Sequence, residues 1–310
     1  MRILYTDVMR ILRTPDDHFT HIDEWPHDPL YTEIKDKSGD ILRVHHADFG
    51  PADAPTILLL HGEPSWGFLY RKVMSGLADA GIRSLVPDQI GFGRSDKPAN
   101  KSDYTYERHV HWMQEWLDAN APEQLFFFGQ DWGGLIGLRL VSADPDRFTG
   151  VILSNTGLPD GTQKPTDAFL AWQEFSKTAE EFPVGKLINA ACLSDLTPEI
   201  ISAYDAPFPD NSYKEGARVW PSLVPTSPDD PSAFANQEAW EVLRKFNNPF
   251  VCAFSDKDPV TRGGEKAFLS QVPGTQNQPH TTIENAHHFL QEDRPEELVR
   301  VIVDLISKSG

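Results

Sequence analysis

The segment Gly129-Gln130-Asp131-Trp132-Gly133-Gly134 places a carboxylate where it could do chemistry. It follows the apolar run 125–128 and precedes an apolar stretch with helical periodicity, so Asp131 is expected on a sharp turn between a strand and a helix. The glycines at 129 and 133 relieve crowding on either side of that turn. A carboxylate there could act as a nucleophile, backed by helix N–H groups that stabilise an anion. The simpler alternative is that Asp131 caps the helix.

Three further segments supply partners for a nucleophile. His287 and His288 follow the last predicted strand, and Asp256 and Asp258 follow the strand before it. Nucleophile, acid and base then occur along the chain in the order used by enzymes with this type of turn. His61-Gly-Glu-Pro ends another apolar strand, so the backbone N–H of Glu63 could contribute to an oxyanion hole. Each signal is weak alone, but together they indicate covalent catalysis.

Six short apolar or β-branched runs are predicted to be the strands that position these residues. They cover residues 56–60, 84–87, 124–129, 150–155, 250–255 and 281–284. Helical periodicity is found near 69–80, 106–119 and 134–143. A final helix is predicted near the end of the chain, where Asp293 and Pro295 together form a helix start signal. This alternation predicts an α/β fold with a mostly parallel central sheet and helices on both faces.

The alternation stops between residues 156 and 248, where prolines are frequent and the apolar spacing is that of short helices. It resumes at Phe250. We therefore predict a core domain made of residues 1–155 and 249–310, interrupted by a helical cap made of residues 156–248. A cap over the carboxyl edge of a parallel sheet would enclose a pocket there.

Composition excludes several classes of function. With 28 Lys and Arg against 46 Asp and Glu, the formal charge of −18 opposes binding to nucleic acid or to an anionic membrane. Cys192 and Cys252 lie in apolar surroundings and cannot build a disulfide framework, which favours a cytoplasmic location. The N-terminus has no apolar stretch typical of a signal peptide, and a repeated Met-Arg-Ile-Leu leaves Met9 as an alternative start.

No cofactor or metal is expected. The segment Gly91-Phe-Gly-Arg-Ser-Asp lacks the third glycine and the helix start of a dinucleotide-binding motif. His109 and His111 are two residues apart on a predicted helix, so their side chains do not face one site.

Taken together, the motifs resemble those of the haloalkane dehalogenases of the α/β-hydrolase superfamily. The resemblance covers nearly the whole chain. It rests on Leu12-Arg-Thr-Pro-Asp, His61-Gly-Glu-Pro-Ser-Trp, Pro87-Asp-Gln-Ile-Gly-Phe-Gly-Arg-Ser-Asp-Lys-Pro, Gln130-Asp-Trp-Gly-Gly, Tyr204-Asp-Ala-Pro-Phe-Pro-Asp and Ala286-His-His-Phe.

The resemblance implies a role for each of these residues. Asp131 corresponds to the nucleophile, His288 to the base and Asp258 to the acid that orients it, with Asp256 as the alternative acid. The backbone N–H groups of Glu63 and Trp132 correspond to the oxyanion hole.

The resemblance also implies a halide site and a substrate pocket. Halide would be bound by the indole N–H groups of Trp132 and of Trp172, which is the best match to the cap tryptophan used by relatives with Glu at position 63. Trp172 could instead be an apolar anchor of a cap helix. The pocket wall would include Leu135, Phe169, Trp220, Pro221 and Val260.

The implied reaction converts a small neutral haloalkane and water into an alcohol, a halide ion and a proton, in a protein expected to be a monomer. Two alternatives remain. An epoxide hydrolase has the same type of triad but uses cap tyrosines, for which only Tyr204 and Tyr213 are available. A binding protein that has kept the fold without catalysis is the second alternative. A fluoroacetate dehalogenase is disfavoured, because Trp132 and Leu135 replace its carboxylate-binding arginines.

Overall fold

A computed structural model describes residues 9–20 and 22–309. Residues 1–8, which bear on the alternative start at Met9, therefore lie outside the described residues. The strands are β1 (Ile11–Leu12), β2 (Leu30–Lys35), β3 (Ile41–Phe49), β4 (Thr56–Leu60), β5 (Arg83–Pro87), β6 (Lys97–Pro98), β7 (Leu125–Gln130), β8 (Phe148–Ser154), β9 (Phe250–Ser255) and β10 (Thr281–Ile283). Within the described ranges, eight of them form one sheet in the order β10-β9-β8-β7-β4-β5-β3-β2, and β1 pairs with β6 separately.

The helices pack in two groups, as a sheet covered on both faces requires: residues 71–79 pack against 295–309, and residues 132–143 pack against 106–120 and 233–243. They are α1 (Arg71–Asp79), α2 (Tyr106–Asn120), α3 (Trp132–Ala143), α4 (Asp167–Thr178), α5 (Val184–Ala190), α6 (Pro198–Asp205), α7 (Glu215–Leu223), α8 (Ala233–Leu243), α9 (Glu265–Gln271), α10 (Leu290–Asp293) and α11 (Pro295–Ser309). Among the described helices, none combines the length and apolar character needed to cross a membrane.

The six predicted strands are confirmed as β4, β5, β7, β8, β9 and β10, and all six run parallel. Every residue of β4 and β7 is buried, because helices cover both sides of a parallel sheet and leave no polar face. Their carboxyl ends therefore meet along one edge, where the loops that follow them can converge.

The hairpin of β2 and β3 was missing from the prediction. β3 is antiparallel to both β2 and β5, so the sheet is mostly rather than wholly parallel. The segment 41–49 contains two adjacent histidines, which interrupt its apolar pattern and make its sequence resemble that of a polar loop. Both are buried and have partners: His45 Nδ1 lies 2.7 Å from Asp88 Oδ2, and Trp116 Nε1 donates to His46 Nδ1 at 3.4 Å.

Five helices, α4 to α8, lie between β8 and β9 where the cap was expected. Threonine side chains cap two of them, Thr166 at α4 and Thr197 at α6, by accepting hydrogen bonds from the first turn. We propose that residues 156–248 form the cap and the remainder the core. Two hydrogen bonds join the two parts. Trp66 Nε1 donates to Ala203 O at 3.1 Å, and the Tyr204 hydroxyl donates to Glu292 at 2.5 Å.

The two cysteines, Cys192 and Cys252, are both free. The cytoplasmic location that we inferred from them stays a prediction.

Candidate active site

Asp131 lies on the turn between β7 and α3, in the strained conformation expected of a nucleophile. Its φ of 52° is in the left-handed region, which a residue with a side chain seldom adopts. Close backbone approach explains the neighbouring glycines. A Cβ atom at Gly133 would collide with Leu60 O, and one at Gly62 would collide with the Asp131 carboxylate. The turn is thus pressed against the loop after β4.

The Asp131 carboxylate is held by that loop. The backbone N–H of Glu63 donates to Asp131 Oδ1 at 2.7 Å, as an oxyanion-hole donor should. Of the two expected donors, Glu63 alone is hydrogen bonded to the carboxylate in the structure. The backbone N–H of Trp132 makes no such bond among the described residues, so its role stays a prediction.

His288 lies between two carboxylates. Its Nε2 is 3.5 Å from Asp131 Oδ2 and its Nδ1 is 3.1 Å from Asp258 Oδ2. The alternative acid, Asp256, instead pairs with Lys257 at 2.7 Å and accepts the Ala286 N–H. His287 turns away from this group, with its Nδ1 3.0 Å from Ala191 O. The structure therefore brings together Asp131, His288 and Asp258, and leaves Asp256 and His287 aside.

The charges along this line shift the pKa values of its members. Burial raises the pKa of Asp258, but His288 and the hydrogen bonds from Thr261 and Val260 N–H outweigh burial, so the net shift is downward and Asp258 stays ionised. Burial lowers the pKa of His288, but the charge of Asp258 and the hydrogen bond to Asp131 more than compensate and raise it. Asp258 and Asp131 thus both favour the imidazolium.

Two residues missed in the sequence hold the histidine loop. Asn155, at φ 42° after β8, donates through Nδ2 to the carbonyl oxygens of His287 and His288 at 3.1 and 2.9 Å. Gln130, the last residue of β7, places Nε2 3.0 Å from His288 Nε2 and 3.2 Å from His288 O. Both are polar residues at the carboxyl end of an apolar strand, and that position was the available signal.

The proposed halide donors differ in what they contact. Trp132 packs edge-on against Tyr106, and its indole N–H makes no hydrogen bond in the part of the chain that the structure describes. Trp172, on the cap helix α4, donates its indole N–H to Glu63 Oε2 at 2.9 Å. Burial and the charge of Asp131 raise the pKa of Glu63, which favours its neutral acid form.

A cavity of about 330 Å³ opens above Asp131, between the sheet edge and the cap. Four of the five predicted wall residues line it: Leu135, Phe169, Pro221 and Val260. The wall also contains apolar residues that the sequence did not predict, including Leu158, Val224 and Trp240.

The prediction that Trp220 lines the cavity is wrong. Trp220 is fully buried behind Trp132, at a ring separation of 4.9 Å, and it does not line the cavity. Its indole N–H donates to His109 Nε2 at 2.5 Å, so it is a hydrogen-bonded core residue that supports Trp132 from behind.

A second cavity, of about 430 Å³, borders His288 and Phe289. Glu63, Asp131 and Trp172 line both cavities. The hydrogen bond between Glu63 and Trp172 therefore lies between the space above Trp132 and the space beside the histidine.

Proteins similar to this chain indicate its fold and its family. Residues 55–295 match the family model of the alpha/beta hydrolase fold. The chain is 51% identical over 298 residues to a haloalkane dehalogenase from Psychrobacter cryohalolentis, covering 96% of this chain and 98% of that protein. It is 42% identical over 295 residues to another from Mycolicibacterium paratuberculosis, covering 95% of this chain and 98% of that protein.

The chain belongs to the haloalkane dehalogenase family. A solved structure, described as the tetrameric haloalkane dehalogenase DpaA from Paraglaciecola agarilytica, superposes with a TM-score of 0.87 at 31% identity, covering 96% of this chain and 98% of that one. The resemblance inferred from the motifs and the predicted fold class are both confirmed.

Proposed function

We propose that the protein hydrolyses the carbon–halogen bond of a small neutral haloalkane through an alkyl ester on Asp131. One observation carries the proposal: the Asp131 carboxylate and the indole rings of Trp132 and Trp172 line one largely apolar cavity, and the pair His288–Asp258 lies behind the carboxylate. Halide, alcohol and a proton would be the products, and the residues present supply every group that the reaction needs.

In the first half-reaction, Asp131 displaces the halide from the carbon. The Glu63 N–H holds Oδ1, which leaves the other oxygen free to attack. Negative charge moves from the carboxylate to the departing halogen, where the indole N–H groups of Trp132 and Trp172 can stabilise it. Because that charge develops during the reaction, these donors bind the transition state more strongly than the substrate.

In the second half-reaction, water cleaves the ester. Esterification removes the charge of Asp131, so the pKa of His288 falls and the ring can accept a proton from water. Asp258 stabilises the resulting imidazolium and holds the tautomer with the proton on Nδ1. The oxyanion formed on Oδ1 faces the Glu63 N–H.

The epoxide hydrolase alternative lacks its acid groups at the site. Neither Tyr204 nor Tyr213 lines either cavity above Asp131, and the Tyr204 hydroxyl donates its hydrogen bond to Glu292.

A carboxylate nucleophile suits dehalogenation better than a serine would, because it leaves an ester that water can cleave rather than an ether.

The test is a panel of bromo- and chloroalkanes assayed for halide and proton release beside a panel of epoxides, with Asp131→Ala as the control. We expect bromide, alcohol and protons in equal amounts from the parent and none from the variant. Diol formation from epoxides without halide release would contradict the proposal.

We further propose that one chain contains the complete site and is active as a monomer. The groups assigned above all come from a single chain. Light scattering after gel filtration should give the chain mass of 34.8 kDa. An activity found only in larger species would contradict this.

A further inference from the structure

Gln130 is a fully buried amide in direct contact with the nitrogen that must accept the proton. Its side chain is 0% exposed, and its Nε2 lies 3.0 Å from His288 Nε2. Oε1 of the same amide has no hydrogen-bond partner within the described residues. A buried amide with one unsatisfied atom costs free energy, so its position beside the base calls for an explanation.

The orientation of this amide follows from its second contact. Gln130 Nε2 also lies 3.2 Å from the carbonyl oxygen of His288. Of the two ends of the amide, only the NH₂ group can donate to that oxygen. Rotating the amide by 180° would place Oε1 against that carbonyl oxygen, which is repulsive. The backbone of His288 therefore fixes the NH₂ group toward its own imidazole.

An NH₂ group facing Nε2 forms a hydrogen bond only when that nitrogen carries a lone pair. The neutral ring with its proton on Nδ1, toward Asp258, meets this condition, whereas the imidazolium would set two N–H groups against each other. We propose that Gln130 is a positioning residue that holds His288 as the neutral imidazole until the hydrolytic water replaces the amide as the donor to the Nε2 lone pair and transfers its proton there.

This role is useful because the surrounding charges act in the opposite sense. Asp131, Asp258 and Glu63 are the titratable groups that face the ring from the loops packed against it, and the first two favour the imidazolium. In the alkyl-enzyme Asp131 is neutral, but Asp258 remains. Gln130 offsets part of that remaining bias, so it acts on ester hydrolysis and not on alkylation.

The test uses Gln130→Met, which keeps the volume and removes the donor. The inference rests on the proposed two-step reaction, so both steps are measured under single-turnover conditions across pH. We expect an unchanged rate of halide release. The acid limb of the pH profile for ester hydrolysis should move to higher pH by up to about one unit, which makes hydrolysis up to tenfold slower at pH values below the limb. Gln291→Met, a substitution at an equally buried glutamine whose amide does not touch His288, should leave the limb in place.

Each outcome decides one of the two claims. A limb that stays in place or moves to lower pH overturns the role of Gln130, even when hydrolysis is slower. Failure of His288→Gln to accumulate an ester on Asp131 overturns the two-step reaction instead.

A direct titration keeps the inference testable if Gln130→Met does not fold. In Asp131→Asn, where the amide imitates a neutral ester, ¹⁵N NMR should show a higher His288 pKa when Gln130 is also changed to Asn, because the shorter amide no longer reaches the Nε2 lone pair and no charge is added. An unchanged or lower pKa would overturn the inference.

Discussion

The two sides of Asp131 are built differently. On the base side, His288, Asp258 and Gln130 come from the ends of core strands and their loops, and hydrogen bonds within the core hold each in place. On the halide side, Trp132 belongs to the core, but its partner Trp172 reaches the site from the half-buried face of a cap helix and is bonded to Glu63. The proton-transfer geometry is thus complete in the core alone, whereas the halide site depends on where the cap lies.

The difference has an energetic consequence. Among the described residues, the indole N–H of Trp132 donates to no protein group, whereas that of Trp172 must share or release its bond to Glu63 before it meets a halide. Releasing a hydrogen bond costs about 0.5–1.5 kcal/mol, so Trp172 should contribute less net halide affinity than Trp132. The two halide donors are proposed from the family resemblance, and the unequal contributions expected of them follow from the contact that Trp172 makes with Glu63.

The largest effect should come from breaking the base side. Asp258→Asn removes the charge that supports the imidazolium and allows the wrong tautomer, so turnover should fall by about 10³- to 10⁴-fold. Asp256→Asn is the matched control and should retain most activity, because Asp256 does not contact His288. Steady-state rates of bromide release measure both, and equal damage from the two variants would refute the assignment.

A smaller effect should separate the two halide donors. Trp132→Phe should weaken bromide binding by about 1.5–3 kcal/mol, roughly 10- to 100-fold, because it removes a hydrogen bond to a charged ligand. Trp172→Phe should weaken it less. Quenching of tryptophan fluorescence by bromide gives both affinities.

The control for this pair is Trp116→Phe. Trp116 donates to His46 and lies outside the cavity, so its loss should leave bromide affinity unchanged and lower stability by about 1–3 kcal/mol. A larger loss of affinity in Trp172→Phe than in Trp132→Phe would contradict the proposed difference between core and cap.

The smallest effect concerns the pH dependence of stability. The pKa of Glu63 is raised in the folded state above its ordinary value of 4.5, so the folded protein holds this proton more tightly than the unfolded chain. The stability that Glu63 contributes is present below pH 4.5 and is lost as pH rises toward the folded pKa. Glu63→Gln should therefore increase Tm relative to the parent by more at pH 8 than at pH 4.5, and a constant difference would contradict the shift.

The sequence predicted the sheet that holds the site because its strands are short, apolar and bounded by turn residues. The predictions for β4 and β9 matched the observed bounds, and β7 and β8 differed by one or two residues at either end. The hairpin of β2 and β3 escaped because His45 and His46 interrupt its apolar pattern, and their partners Asp88 and Trp116 are distant in sequence.

The contacts that distinguish the two sides of Asp131 could not be predicted. Glu63 and Trp172 are 109 residues apart, and their hydrogen bond depends on how the cap packs on the core. Trp220 was expected in the wall because the family resemblance implied it. Its actual place was decided by a buried acceptor, His109, on another helix.

The central claim is that Asp131 forms a covalent ester which His288 then helps to hydrolyse. His288→Gln tests it most directly, because alkylation needs no proton transfer and hydrolysis needs a base. With a bromoalkane, the variant should release about one bromide per active site and stop. Mass spectrometry should find the alkyl group on the peptide that contains Asp131, and Asp131→Ala in the same background should show neither burst nor adduct. Continuous turnover by His288→Gln, or bromide release without an adduct, would contradict the mechanism.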